Sequence, residues 1–496
     1  MGATGIAIII AYVLVMIGVG YWSMKKTKSV GDFFLGGRSI GPWMSAFAYG
    51  TTYFSAVLLI GYAGKLGWGF GIHTMWIVIG NAIVGSLLAW WILGSRTRTM
   101  TARLNSMTMP DFLSARFNSK PLKMVGALIV FVFLVPYSAS VYTGLSYLFG
   151  TCFHIPYMYA LGFMALLTGV YLIMGGYFAL TVTDLIRGIV ELFGVTIMVY
   201  FLASHVGGFS EATHNLLKPE NAPALYNPAK PGAPAGWITL WSLVLLTSFG
   251  PWGLPQMVQK FYSIKSKDYI KSAMIVCTLF SLLMAFGGYY TGALTHLYAP
   301  KDPAMMEVLK TNNIDNLMPT FLSNHTPASI SIVIILLVFS ASMSSLSSLV
   351  LVSSSAIAMD LYAGIIRPKA SKETTMLLMR VLCAVFVAVS LYIALRRPLF
   401  IVDLMALAWG ALAGSFAAPY IYGLFWRRTT AAGASAGMLT GLLITVGFYM
   451  LKGQPWIAPA GALAIVVPFI VVPVVSLMTQ PPSKEIVSKA FSDGKA

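Results

Sequence analysis

The segment Ala341-Ser342-Met343-Ser344-Ser345-Leu346-Ser347-Ser348 carries five hydroxyl side chains in eight residues. On a helix that turns roughly 100° per residue, Ala341, Ser344, Ser345, Ser347 and Ser348 fall within an arc of roughly 160°. One face is then a strip of hydroxyls. Small hard cations prefer such oxygen ligands, and sodium can be held without a full countercharge when the carbonyls of a broken helix complete its shell. Packing of helices through small residues is the alternative use of the same strip. A second candidate lies in Asp184, Arg187 and Glu191, at i, i+3 and i+7 on one helix face inside an apolar run. Each such charge costs about 2.5–3.5 kcal/mol at a bilayer centre. Asp184 is either a cation ligand or part of a neutralising ladder, and both hold if Arg187 prefers Glu191 at i+4.

Two apolar runs contain helix-interrupting residues: Tyr49-Gly50-Thr51-Thr52 in one, and Phe249-Gly250-Pro251-Trp252-Gly253-Leu254-Pro255 in the other. Unpaired backbone at membrane depth is tolerated only where it lines a cavity or binds something. The two runs lie five spans apart, as the first helices of two inverted five-helix halves would. Two ordinary kinks are the plainer reading.

These elements belong to a membrane protein. Of 496 residues 58% are hydrophobic and 9% charged, and the mean hydropathy is +0.80, outside the range of soluble domains. About thirteen runs reach membrane-spanning length: 5–24, 42–64, 71–94, 122–150, 157–175, 180–203, 237–257, 270–298, 329–361, 375–395, 400–425, 431–451 and 459–478. The expected class is an all-α polytopic membrane protein in one domain, 1–496, with no soluble domain between the spans. It divides into an extra N-terminal helix (5–24), two five-helix repeats (42–203 and 237–425), two C-terminal helices (431–478) and a short tail (480–496).

The net charge of +17 is a matter of topology, not of a nucleic-acid partner. Most Lys and Arg sit in loops on one side, among them Lys25/Lys26/Lys28, Arg96 to Lys123, Lys260 to Lys271, Arg367 to Arg380 and Arg427/Arg428. The positive-inside rule puts those loops in the cytoplasm of an inner-membrane protein, the N-terminus outside and the tail inside. The loops 204–236 and 299–328 face outward and either cap a vestibule or are plain surface. Cys152, Cys277 and Cys383 lack metal or redox spacing, and the six His are scattered, so neither an enzyme nor an organic cofactor is expected. No obligatory protein partner is evident; the expected partners are the bilayer and a small-molecule solute.

Several motifs resemble signatures of the sodium:solute symporter family: Phe33-Phe34-Leu35-Gly36-Gly37-Arg38-Ser39, Met109-Pro110-Asp111-Phe112-Leu113 with Arg116-Phe117, Gly175-Gly176 ahead of Thr183-Asp184, the Ser344-Ser345 run ending in Met359-Asp360-Leu361-Tyr362, and Gly423-Leu424-Phe425-Trp426-Arg427-Arg428. They occur in the family's order across nearly the whole chain. The resemblance implies a leucine-transporter fold with one added N-terminal helix, and alternating access driven by sodium. It places the common sodium site at Thr51, Phe54, Ala341, Ser344 and Ser345, with hydroxyls from the two serines and carbonyls from the rest. A second sodium, as in a sialic acid transporter of the family, would use Asp184, Ser344, Ser347 and Ser348. Members often carry Gln where this chain has Arg187, and pairing of Arg187 with Asp184 would remove that ion.

Where sugar carriers of the family present Asn, Glu and Gln, this chain has Tyr53, Val57 and Leu58. Proline carriers have Asp at Tyr53 but share Ser55. The lining expected for the substrate is Tyr53, Ser55, Val57, Trp76, Tyr137, Trp252 and Tyr289, each of which could equally be helix packing. Such a pocket suits a small amino acid or monocarboxylate whose anionic group meets exposed N–H groups at a half-helix N-terminus. The rival functions are a proton-coupled carrier using Asp184 or Glu191, and a transporter-like sensor, for which the tail is too short to hold an output domain.

Overall fold

Phe54 and Leu254 both leave the helical region for extended backbone, at φ −112°, ψ 131° and φ −82°, ψ 118°. These two residues set the geometry of the interior. A computed structural model of the chain describes residues 3–24 and 34–491; the side chains of 3, 4, 6, 23, 24 and 167–175 lie outside that description. So do Lys25, Lys26, Lys28 and Phe33 of the sequence motifs, and residues 492–496 of the tail.

The first broken span runs Pro42–Tyr53, then a wide turn at Val57–Tyr62, then Ala63–Phe70. Its break falls at Phe54-Ser55, later than Tyr49-Gly50-Thr51-Thr52, where the composition points. Gly50 serves packing instead, since a Cβ there would lie 2.3 Å from the Phe280 ring. No Pro or Gly enforces the break itself, so tertiary contacts must hold it. In the second broken span, Gly236–Gly253 stays helical through Pro251 and meets Pro255–Ser263 at 44°. Here local chemistry suffices, because a residue before proline is pushed out of the helical region.

Among the described residues nine helices are long and apolar enough to cross a bilayer, ten with the bent pair counted as one, and Ala7–Trp22 and Tyr157–Leu166 are shorter apolar helices. Helix covers most of each expected span, but 42–64 and 237–257 are interrupted at Phe54-Ser55 and Leu254, and the thirteen expected spans correspond to fewer separate helices of that length among the described residues. Val57–Arg103 is helical almost throughout its 47 residues, but roughly 70 Å of helix exceeds a bilayer. Gly71, at φ 53°, turns the chain within it. Gly176, at φ 59°, likewise divides Tyr157–Ser204. The helix Ile401–Phe425 is 94% buried over its apolar window and Ala328–Ile366 67%, against 28% for Lys372–Arg396 and Ala431–Lys452. The former two form the centre with the broken spans, and the latter two face lipid.

Both ends of this centre are tied. On the face carrying the basic loops, Ile40 N–H donates to Ser263 O (3.3 Å) and Lys265 N–H to Ile40 O (2.9 Å), joining the two broken spans. Arg38 donates to Thr101 O, Ser106 O and Tyr262 O. Arg116 is also buried, donating to Gly423 O and Trp426 O, so this basic cluster is partly a structural clamp. The tail forms the helix Lys484–Phe491, held by Arg103 on Ala490 O.

On the opposite face, Lys65 pairs with Asp403 at 2.7 Å, and Gln454 donates to the same carboxylate. The 299–328 segment folds into the helices Pro303–Lys310 and Leu317–His325, with Ile314 and Met318 against Gly64. Between those helices Asp315 accepts from Ile401 N–H at 3.0 Å. The segment thus covers the end of the first broken span on this face.

Burial pushes the Asp315 carboxyl up to about 6, against the pull of the Ile401 N–H and Lys65 and with added repulsion from Asp403. Between about pH 4 and pH 6 the folded protein keeps a proton that the unfolded chain has released, so this residue's contribution to stability falls as pH rises through that window. Asp315→Asn keeps an acceptor for Ile401 and removes the charge. It should melt higher than wild type at pH 7.5, by the order of 2–3 kcal/mol at most, and gain little at pH 4.5. Equal effects at both pH values would contradict the assignment.

Candidate functional site

At the first break the half-helix Pro42–Tyr53 ends with its carbonyls aimed at the serine-rich helix Ala328–Ser355. Ser345 Oγ donates to Thr51 O at 3.3 Å and Thr52 O at 3.1 Å. Ser344 Oγ donates to Thr51 Oγ1 at 2.8 Å, and Ser348 Oγ lies 3.1 Å from Thr52 Oγ1. Ala341, Thr51 and Phe54 are buried. A cluster of carbonyl and hydroxyl oxygens at the negative end of a half-helix can bind a small cation. Thr52, absent from the expected set, contributes both its carbonyl and its hydroxyl; its place beside Thr51 was the available signal.

Of the second ion's expected ligands, Ser347 Oγ donates to Met343 O of its own helix at 2.6 Å. Asp184 is engaged by Arg187, at 3.4 Å between Nη1 and Oδ1. This differs from the preference of Arg187 for Glu191, whose two carboxylate oxygens have no hydrogen-bond partner among the described residues. Lys260 is the larger surprise. Counted by sequence among the loop lysines, it is fully buried, donates to Ser348 Oγ at 3.1 Å and lies 5.1 Å above the Tyr177 ring. Its half-helix starts at Pro255, so Lys260 comes in the second turn, still within the protein. Lys260 and Ser344 are among the groups facing Asp184. Asp184 and Glu191 against Arg187 and Lys260 make a buried quartet with no formal net charge.

On the other side of the break, Tyr53 stacks on Phe54 at 4.4 Å and lies 6.0 Å from Trp409, which meets Tyr137 edge-on at 5.9 Å. Tyr53 Oη donates to Thr247 O (2.6 Å), and Tyr289 packs edge-on against Tyr62. Trp252 donates to Val84 O. The first N–H groups beyond the break are already capped, Ala56 by Ser342 Oγ and Val57 by Ser55 Oγ, both at 3.2 Å. Trp76 does not join this group: it is 45% exposed and packs on Trp241 at the protein's outside. Trp409 and Tyr62 do join it, and nothing in their sequence context distinguished them from ordinary core aromatics.

The model of the sodium:solute symporter family matches residues 33–441. The osmoregulated proline transporter of Bacillus subtilis is 29% identical, over 95% of this chain and 94% of its own. The sodium/proline symporter of Salmonella typhimurium is 28% identical, over 88% and 86%. In structure the chain is similar to a sodium-coupled sialic acid symporter in a substrate-bound, outward-open state, with a TM-score of 0.80 over 97% of this chain and 99% of the other at 19% identity. The nucleobase-cation-symport-1 transporter Mhp1 aligns at a TM-score of 0.53 and 13% identity, over 92% and 97%. These last two likenesses bear on the fold.

Removing Arg187 alone would leave two buried carboxylates against one ammonium. Arg187→Met should therefore cost about 3–5 kcal/mol, and adding Asp184→Asn should recover much of that loss. A double-mutant cycle on unfolding midpoints measures the coupling, and additive losses would contradict the pairing.

Proposed function

The chain belongs to the sodium:solute symporter family, and from that premise we propose that it imports a small amino acid, proline foremost, or a small monocarboxylate, together with one sodium ion. Sodium-coupled symport of a small solute follows from the family and from relatives that carry proline and sialic acid. The observation that carries the finer reading is the bifurcated hydrogen bond from the single Ser345 hydroxyl proton to the carbonyls of Thr51 and Thr52 at the break. A sodium ion would turn those carbonyls and the Ser344 and Ser345 hydroxyls onto itself, with Ala341 and Phe54 contributing carbonyls.

One ion, rather than two, is favoured by the charge balance around Asp184. A second sodium would bring an unbalanced positive charge beside Arg187 and Lys260. A one-ion carrier draws about 2.3 kcal/mol per 100 mV of membrane potential and about 1.4 kcal/mol per tenfold sodium gradient, half of what two ions supply.

For the solute, the Tyr53, Phe54, Tyr137 and Trp409 rings form an apolar wall fit for a compact ring or alkyl chain. The Ser55 and Ser342 hydroxyls cap the N–H groups of the second half-helix as a carboxylate would, and can rotate aside for one. Tyr53 offers an ammonium no countercharge, which widens the candidates from amino acids to monocarboxylates. In this reading the basic loops face the cytoplasm, the N-terminus lies outside, and the two five-helix halves 42–203 and 237–425 rock about the broken spans.

Sodium titration of the reconstituted protein, followed by thermal stability and tryptophan fluorescence with potassium and pH controls, tests the reading. Expected are sodium-specific stabilisation with a Hill slope near one, its loss in Ser345→Ala, and further sodium-dependent stabilisation by proline or small monocarboxylates but not by hexoses. A slope near two that falls in Asp184→Asn would restore the second ion. A response to pH but not to sodium would put proton coupling in its place.

A further inference from the structure

The serine face does not end at the candidate sodium site. Ser345, Ser348, Val352 and Ser355 follow at spacings of three, four and three, one continuous stripe about 15 Å long at 1.5 Å per residue. Toward the basic face this stripe opens on a small cavity lined by Thr108, Gln259, Tyr262, Val352, Ser355 and Asp360, among others, in which the centre of a water-sized occupant has about 10 Å³ to move. That is room for one occupant of water size or smaller.

The cavity wall is chemically unusual. Among the described residues, Asp360, 1% exposed, leaves Oδ2 without a hydrogen-bond partner, and Gln259, 3% exposed, leaves Oε1 without one. Gln259 cannot relieve this by flipping its amide, because Nε2 donates to Phe34 O at 2.9 Å. Ser355 spends its proton on Val352 O at 2.8 Å and keeps its lone pairs. Three oxygens able to accept therefore line a space that holds one small group. Buried acceptors of this kind are costly unless something donates to them or binds them.

The charge count points the same way. Lys123 stands between Asp111, at 2.7 Å, and Asp360 Oδ1, at 3.7 Å, and Thr108 donates to that same Asp360 oxygen. One ammonium against two carboxylates leaves a formal charge of −1, in contrast to the neutral quartet around Asp184. A monovalent cation balances it, whereas a divalent one would overshoot.

We propose that Asp360, Gln259 and Ser355 form a relay site for sodium between the Ser344–Ser345 site and the basic face. The proposal rests on the sodium reading above. Gln259 sits next to Lys260 on the half-helix Pro255–Ser263, and the Lys260 ammonium on Ser348 stands between the two sites and repels a cation. A movement of that one half-helix shifts the barrier and a relay ligand together, which couples release of the ion to the opening of the basic face.

The test uses the full-length protein in proteoliposomes of defined orientation, with sodium varied separately on each side. Asp360→Asn, which keeps an acceptor for Thr108, should raise the sodium concentration on the basic side that half-inhibits uptake by about tenfold, the worth of one charged ligand. Half-saturation by sodium on the opposite side should stay within about twofold of wild type. Gln259→Leu should shift the same side in the same direction and serves if Asp360→Asn does not fold. Equal shifts on both sides, or none on the basic side, would overturn the relay while leaving the sodium reading intact. Absence of any sodium effect in the wild type would overturn both.

Discussion

Backbone cannot be left unpaired inside a bilayer, and the arrangement of this protein's centre answers that constraint. When the first span stops at Tyr53 and restarts near Val57, it exposes carbonyls on one side and N–H groups on the other. The helix Ala328–Ser355 supplies both kinds of partner from one short stretch, Ser345 for the carbonyls of Thr51 and Thr52 and Ser342 for the N–H of Ala56. The serine run is therefore the complement of the break. Hydroxyls suit this task because they both donate and accept, and because rotation about one bond releases them to a ligand. The same groups that stabilise the broken helix alone are those that an ion and an anionic solute would displace.

Charge is distributed along the same axis with a sign that changes from level to level. At the serine run the balance is neutral, two carboxylates against Arg187 and Lys260; nearer the basic face it is negative, with Lys123 between Asp111 and Asp360. In a low-dielectric interior each unbalanced charge is expensive. The level with no spare charge has little use for a second ion, whereas the level with spare negative charge would suit the same ion on its way out. Buried polar groups that look like burdens on stability thus order the path of a cation.

Both faces are closed by few contacts. Two backbone hydrogen bonds at Ile40 and the Arg38 fork join the broken spans on the basic side, and on the other the Lys65–Asp403 pair, with Asp315 beside it, ties the first broken span to the helix Ile401–Phe425. A partly exposed ion pair contributes on the order of 1 kcal/mol, so either closure can be undone by the free energy that ligand binding supplies. Between them lies close backbone packing, as where Gly67 meets Gly292 with no room for a Cβ. Rigid bodies with weak clasps are what alternating access needs.

Composition and patterning by themselves determined that the chain spans a membrane, most of where its helices run, and which helix carries a strip of hydroxyls, because hydropathy and helical period are local properties of adjacent residues. The motifs determined the family, and Pro255 the break at Leu254, since a proline acts on its own neighbour. Tertiary structure decided the rest. The break at Phe54 has no local cause and moved four residues from the glycine that suggested it. Trp76 proved to face outward, Trp409 inward, and Lys260, read as a loop cation, proved to be buried on Ser348. Arg187 chose between two carboxylates at equally good helical spacing. In each case the sequence fixes the residue's type and its phase on a helix, but which neighbour meets that phase depends on how helices distant in the chain are packed.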